Sequence, residues 1–90
     1  INNMKGLYKF YEDCYYGELL GFFIADSEKV KELIGKTITF VECLGKHSIE
    51  EIKMDCTNIT LISKDPEFIA FAEQEGIVDG CNPFDWYNQE

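Results

Sequence analysis

Two stretches rich in Tyr, Phe, Leu and Ile, residues 7–14 and 18–25, stand on either side of Tyr15, Tyr16 and Gly17. Aromatic and branched side chains suit a pleated, half-buried surface, and a short glycine-containing break between two such runs predicts a β-hairpin. Asp26 then supplies a helix N-cap, Glu28 sits where the positive end of the helix dipole favours an acid, and Val30, Leu33 and Ile34 recur at i, i+3 and i+4 before Gly35. A short amphipathic helix is expected there. Over residues 36–44, Ile38, Phe40, Glu42 and Leu44 share one face and Thr37, Thr39, Val41 and Cys43 the other. That period of two predicts a central or near-central strand.

Residues 45–48 (Gly45, Lys46, His47, Ser48) make a turn. Ser48, Ile49, Glu50 and Glu51 fit a helix capping box, yet barely two helical turns fit before the next strand, so residues 49–54 are expected to be extended. A turn follows at residues 55–58, and residues 59–63 form a short strand that pairs back on its predecessor. Asp65, Pro66 and Glu67 are an N-cap, a proline at N1 and an early acid, after which Phe68, Ile69, Phe71 and Ala72 supply an apolar helix face and Gly76 the stop. The order ββαβββα predicts a two-layer α+β domain: an antiparallel sheet of about five strands with both helices on one face. Residues 1–90 read as a single domain. Residues 1–6 are a disordered or added start, with Met4 the natural first residue, and residues 77–90 are an acidic, aromatic tail packed on the domain.

Composition narrows the class. With 46% apolar and 14% aromatic residues, disorder is excluded. The longest apolar run, residues 19–25, is far short of a membrane helix, and the first residues carry no apolar leader segment. The net charge of -9 is laid out unevenly: every base is a lysine, the last being Lys64, so residues 65–90 carry acids alone. Such a region repels nucleic acid and membrane surfaces and attracts a basic protein; the plainer alternative is that it only keeps the chain dissolved. The helix-strand-strand-strand-helix order from Ser27 to Gly76 is also that of double-stranded-RNA-binding domains. Those modules need bases on their second helix, where this chain has Glu67, Glu73 and Glu75.

Candidate chemistry is sparse. Cys43, His47 and Cys56 offer C-x3-H-x8-C, which lacks the paired spacing and fourth ligand of a structural zinc site, and no metal or other cofactor is expected. A Cys43 nucleophile with His47 as base and Glu42 or Glu51 as orienting acid can be drawn, without any motif to support it. Asn58, Ile59 and Thr60 match an N-glycosylation acceptor, but cysteines in apolar surroundings point to reduced thiols and a cytoplasmic setting.

The function expected from these residues is a non-enzymatic, acidic protein-binding domain. In its concrete form it is a stoichiometric inhibitor that imitates nucleic acid toward a basic nucleic-acid-handling protein. Toxin-immunity and phage anti-defence proteins are of this general size and charge. Glu67, Glu73, Glu75, Asp79 and Asp85 would supply the charge, and Phe84, Trp86 and Tyr87 the anchors, since Trp and Tyr dominate interface energetics. The alternatives are a small enzyme or metal-binding domain centred on Cys43, His47 and Cys56, or an accessory subunit that pairs through a sheet edge.

Overall fold

A computed structural model describes residues 5–14, 17–78 and 80–87. The hairpin forms as its aromatic runs require. β1 (Lys5–Cys14) and β2 (Gly17–Asp26) pair antiparallel in unbroken register from Lys5↔Asp26 to Cys14↔Gly17. Lys5 and Gly6 therefore belong to the strand and not to a disordered start; Met4 and the three residues before it lie outside the described residues. Successive residues of a strand point to opposite faces, so Tyr8, Phe10, Leu19 and Phe23 make one apolar face of this hairpin, and Leu7, Phe22 and Ile24 make the other. Both faces need cover, and each receives its own layer.

The first face is covered by four pieces of chain. α1 (Ser27–Leu33) begins where the Asp26 carboxylate accepts the Glu28 N–H at 3.0 Å, and it buries Val30 and Leu33 in the core cluster that also holds Tyr8, Phe10 and Phe23. β3 (Thr37–Val41) and β4 (Ile49–Lys53) pair antiparallel and turn Ile38, Phe40 and Ile52 inward. Met54, just after β4, completes this layer. The Phe10 and Phe40 rings stack at 5.2 Å with a 10° interplanar angle, joining the two sheets. The last piece, the tail, is described below.

β5 (Ile59–Ser63) pairs with β1, with an irregularity between Leu7 and Tyr8, giving a three-stranded sheet of order β2-β1-β5 beside the two-stranded β3-β4 sheet. The strands are thus divided between two sheets, β3 is not a central strand, and β5 does not pair back on β4. The reason lies in the turn before β5. Asn58, only 4% exposed, donates its side-chain amide to the Lys53 carbonyl at 2.9 Å and accepts the Asp55 N–H at 3.0 Å. Its backbone carbonyl accepts the Tyr11 N–H at 2.9 Å. One residue is bonded to the end of β4 and to β1, so the chain crosses from one sheet to the other at this point. The RNA-binding-domain order consequently comes without the contiguous three-stranded sheet that such an order would build. β3 also ends earlier than its pattern suggests: Glu42 takes a φ of 60°, and its N–H bonds to the Ser48 carbonyl at 2.7 Å. Glu42 and Leu44 are thereby taken off the strand.

α2 (Pro66–Gln74), capped by the Asp65 carboxylate on the Glu67 N–H at 3.1 Å, places Ile69 and Ala72 against Leu7, with Phe22, Ile24 and Val78 around them. Leu7 points away from Tyr8 and Phe10, so the two helices lie on opposite faces of the three-stranded sheet, where a shared face was expected. The result is three layers instead of two. The tail returns along the β2 edge through a bridge between Gly21 and Gly80. A short 3-10 turn follows (Pro83–Asp85), capped by Asn82. Phe84 packs edge-on to Phe23 at 5.7 Å, Trp86 lies 5.3 Å from Phe40, and Tyr87 packs against Phe84. Among the described residues no helix is long and apolar enough to cross a membrane.

Candidate partner-binding surface

A nine-residue helix packed on a sheet can bury only a narrow stripe. In α2 that stripe is Ile69 and Ala72, three residues apart, while Phe68 and Phe71 remain 41% and 53% exposed. All four were expected inward. Helical geometry fixes what surrounds the exposed rings: Glu67, Phe71 and Glu75 recur every four residues and Phe68 precedes Phe71 by three, so two rings share a stripe with a carboxylate one turn to either side. Glu73, two positions from both Phe71 and Glu75, belongs to the other flank. α2 carries no base.

Beside the C-terminal end of α2 lies an open depression of about 330 Å³ lined by Leu20, Gly21, Phe22, Gly76, Ile77 and Gly80. Among the described residues no ionisable side chain lines it, and Leu20 and Ile77 are both exposed. Acids stand nearby. Glu75 immediately precedes Gly76, and Glu18 lies two residues before Leu20 on the same face of β2. The Glu18 carboxylate accepts the Tyr11 hydroxyl at 2.9 Å, a bond that raises the phenol pKa above its usual value, with burial and neighbouring acids adding to it. The depression owes its floor to a close approach of two backbones. A Cβ on Gly21 would stand 2.0 Å from the Cys81 carbonyl oxygen, and one on Gly80 would stand 2.4 Å from that of Leu20, so glycine is required on both sides.

The structure gathers some of the expected residues and separates others. Glu67 and Glu75 flank Phe71; Glu73 is exposed on the same helix but turned aside. Asp85 is exposed on the tail, whose rings pack on the face of the sheet opposite to α2. Asp79 lies outside the described residues. Phe84, Trp86 and Tyr87 are half-buried against the main core, covering Phe23 and Phe40. Among the described residues the exposed phenylalanines are instead Phe68 and Phe71. Their spacing with Glu67 and Glu75 was visible in the sequence, but the inward side of the helix was not.

The residues considered for chemistry are dispersed. Cys43 and Cys81 each lie partly buried against the core. Burial, reinforced by Cys81, pushes the Cys43 thiol up to about 12, so it stays protonated and is a poor nucleophile at neutral pH. His47 is exposed in its turn at a φ of 71°, and Cys56 is exposed in the turn before β5. Cys14 is likewise raised, first by burial and then by Glu50 and Glu12. Among the described residues no group of three His, Cys, Asp or Glu side chains converges as a metal ion would need. The glycosylation tripeptide is closed off in the fold, because the Asn58 amide is buried and bonded to Lys53. Comparison with protein-family models, with curated proteins and with solved structures finds no match.

Proposed function

We propose that this chain is a non-enzymatic protein-binding domain whose contact face is α2 with the adjoining apolar depression. The partner is a protein presenting a basic amphipathic segment. One of its apolar side chains enters the depression between Leu20 and Ile77, others pack on Phe68 and Phe71, and its Lys or Arg side chains meet Glu67 and Glu75. The supporting observation is the exposed Phe68 and Phe71 pair on a helix that carries acids and no base. Apolar rings supply the affinity of such a contact, while exposed carboxylates, each contributing about 0.2–1 kcal/mol per ion pair, mainly set partner choice and speed encounter. A basic groove that normally holds nucleic acid fits this description, and occupying it would make the domain a stoichiometric inhibitor.

The test uses a defined probe: a fluorescent Leu/Lys amphipathic peptide, titrated by anisotropy at low and high salt. Saturable binding that weakens with salt is expected, with at least about tenfold loss for Phe71→Ala and for the Glu67→Lys/Glu75→Lys pair. Asp85→Lys, on the other side of the sheet, serves as the control and is expected to change little. If Asp85→Lys weakens binding as much as the helix variants, the attraction is diffuse charge and the assigned face is wrong. Absence of saturable binding also overturns it.

A further inference from the structure

We propose that β3 pairs with the same strand of a second copy of this chain, antiparallel and centred on Thr39, to make a two-fold dimer. The β3 backbone has one free side. The Met54 N–H bonds to the Lys36 carbonyl at 2.8 Å, the Glu42 N–H bonds to the Ser48 carbonyl at 2.7 Å, and the register between them pairs Ile38 with Ile52 and Phe40 with Glu50. Even-numbered residues of β3 therefore aim their backbone groups at β4, and alternation turns the N–H and C=O of Thr37, Thr39 and Val41 the other way. The Lys53 carbonyl, in the odd-numbered set of β4, is likewise turned outward, where it accepts the Asn58 side-chain amide at 2.9 Å. Among the described residues no backbone bond reaches the outward groups of β3, and the Thr37, Thr39 and Val41 side chains are exposed.

Free strand edges pair readily, and proteins usually blunt them. The other edges of this chain are blunted. β2 is bridged by the tail at Gly21 and Gly80, β5 skips Ile62 in its pairing with β1 so that its edge bends, and β4 carries Glu50, Glu51 and Lys53. β3, from Thr37 to Val41, has no charge, no proline and unbroken register. Self-complementarity identifies the occupant. A two-fold axis through Thr39 sets Thr39 opposite itself and Thr37 opposite Val41, so the outward residues of the two copies exchange about six backbone bonds. The same register sets Lys36 of each copy opposite Glu42 of the other, one charge pair at each end of the seam, and both residues are exposed. An axis moved to Ile38 or Phe40 parts both pairs. Repulsion between two chains of net charge -9 is screened beyond about 8 Å at physiological salt, and β3 itself carries no acid. The contact is small, so the dissociation constant should be on the order of 10–100 µM. α2, on the other face of the three-stranded sheet, stays free, and a dimer offers two such helices to a partner.

Sedimentation velocity on the full chain, from about 10 to about 500 µM at physiological salt, reads the association. A reversible monomer–dimer equilibrium is expected, with hydrogen exchange at the Thr37, Thr39 and Val41 amides slowing as concentration rises. Thr39→Pro removes the central outward N–H, which the pairing with β4 does not use, and should weaken the dimer at least about tenfold. Lys36→Glu and Glu42→Lys should each weaken it about threefold or more, and the double variant, with the two charges exchanged, should recover it. Only a partner that is the same chain carries the exchanged charges. If circular dichroism shows that Thr39→Pro does not fold, the charge variants decide alone. A monomer at every concentration, undiminished association in a folded Thr39→Pro, or failure of the double variant to recover overturns the proposal. So does association that is lost in Phe71→Ala, which would place the contact on α2.

Discussion

Gly21→Ala isolates the close approach that holds the tail. A methyl group at this position would stand 2.0 Å from the Cys81 carbonyl oxygen and 2.6 Å from both the carbonyl carbon and the amide nitrogen. All three are backbone atoms, so no rotamer change relieves the contact. Restoring an ordinary carbon-oxygen separation of about 3.3 Å requires the strands to part by about 1.3 Å, which breaks the 3.0 Å bond from the Cys81 N–H to the Leu20 carbonyl. Losing that bond costs about 1 kcal/mol and the forced displacement about 1–3 kcal/mol, giving about 2–4 kcal/mol in total. The loss has a ceiling, because the tail can detach altogether while β1, β2 and α2 keep the pairing and packing they make with one another. Detachment has a clean reporter. Trp86 is the single tryptophan and lies 5.3 Å from Phe40, so its emission should shift to the red while far-UV circular dichroism is nearly unchanged. For a domain of this size the melting temperature should fall by about 10 °C or more. Gly80→Ala, with its Cβ 2.4 Å from the Leu20 carbonyl and a φ of 90°, should behave alike. Unchanged Trp86 emission together with a melting temperature within about 2 °C of the parent would refute the close approach and the tail docking built on it.

Asn58→Ala leaves the Lys53 carbonyl and the Asp55 N–H without their partners in a buried turn, and denaturant unfolding should show a loss of about 2–3 kcal/mol with both sheets loosened; a loss under about 0.5 kcal/mol would contradict its place as the seam. Asp55 accepts the Thr57 hydroxyl and N–H, and these bonds hold its carboxyl below the usual carboxylate range. A depressed folded pKa means that its stabilisation is complete above the unfolded value and fades as pH falls through the folded one. Carbon-detected NMR should therefore find Asp55 titrating below about pH 3.9, with Thr57→Val moving it upward; titration at the ordinary value would remove the effect. Asp65→Ala removes the acceptor of the Glu67 N–H and should cost about 1 kcal/mol by chemical denaturation, fraying the first turn of α2; an unchanged midpoint would show that proline at N1 starts the helix without the cap.

Local signals carried most of the element order. Asp26 and Asp65 mark two helix starts because an N-cap acts within three residues, and the alternation of Ile38 and Phe40 marks β3 because side-chain direction in a strand has a period of two. The three-layer arrangement had a local trace as well. Leu7 and Tyr8 are adjacent and both large and apolar, as are Phe22 and Phe23, which is what a hairpin covered on both faces requires. Read as mere richness in aromatics, that trace does not place α2 opposite α1.

What the sequence by itself determined is therefore the order of the five strands and two helices, together with a base-free final quarter. Those depend on interactions between residues three or four apart. Only the tertiary structure decided that β5 leaves β4 for β1 and that Phe68 and Phe71 remain outside while Trp86 packs on Phe40. Each of these depends on which of several apolar faces is already occupied when two distant segments meet, and periodicity along one segment carries no information about the occupancy of another.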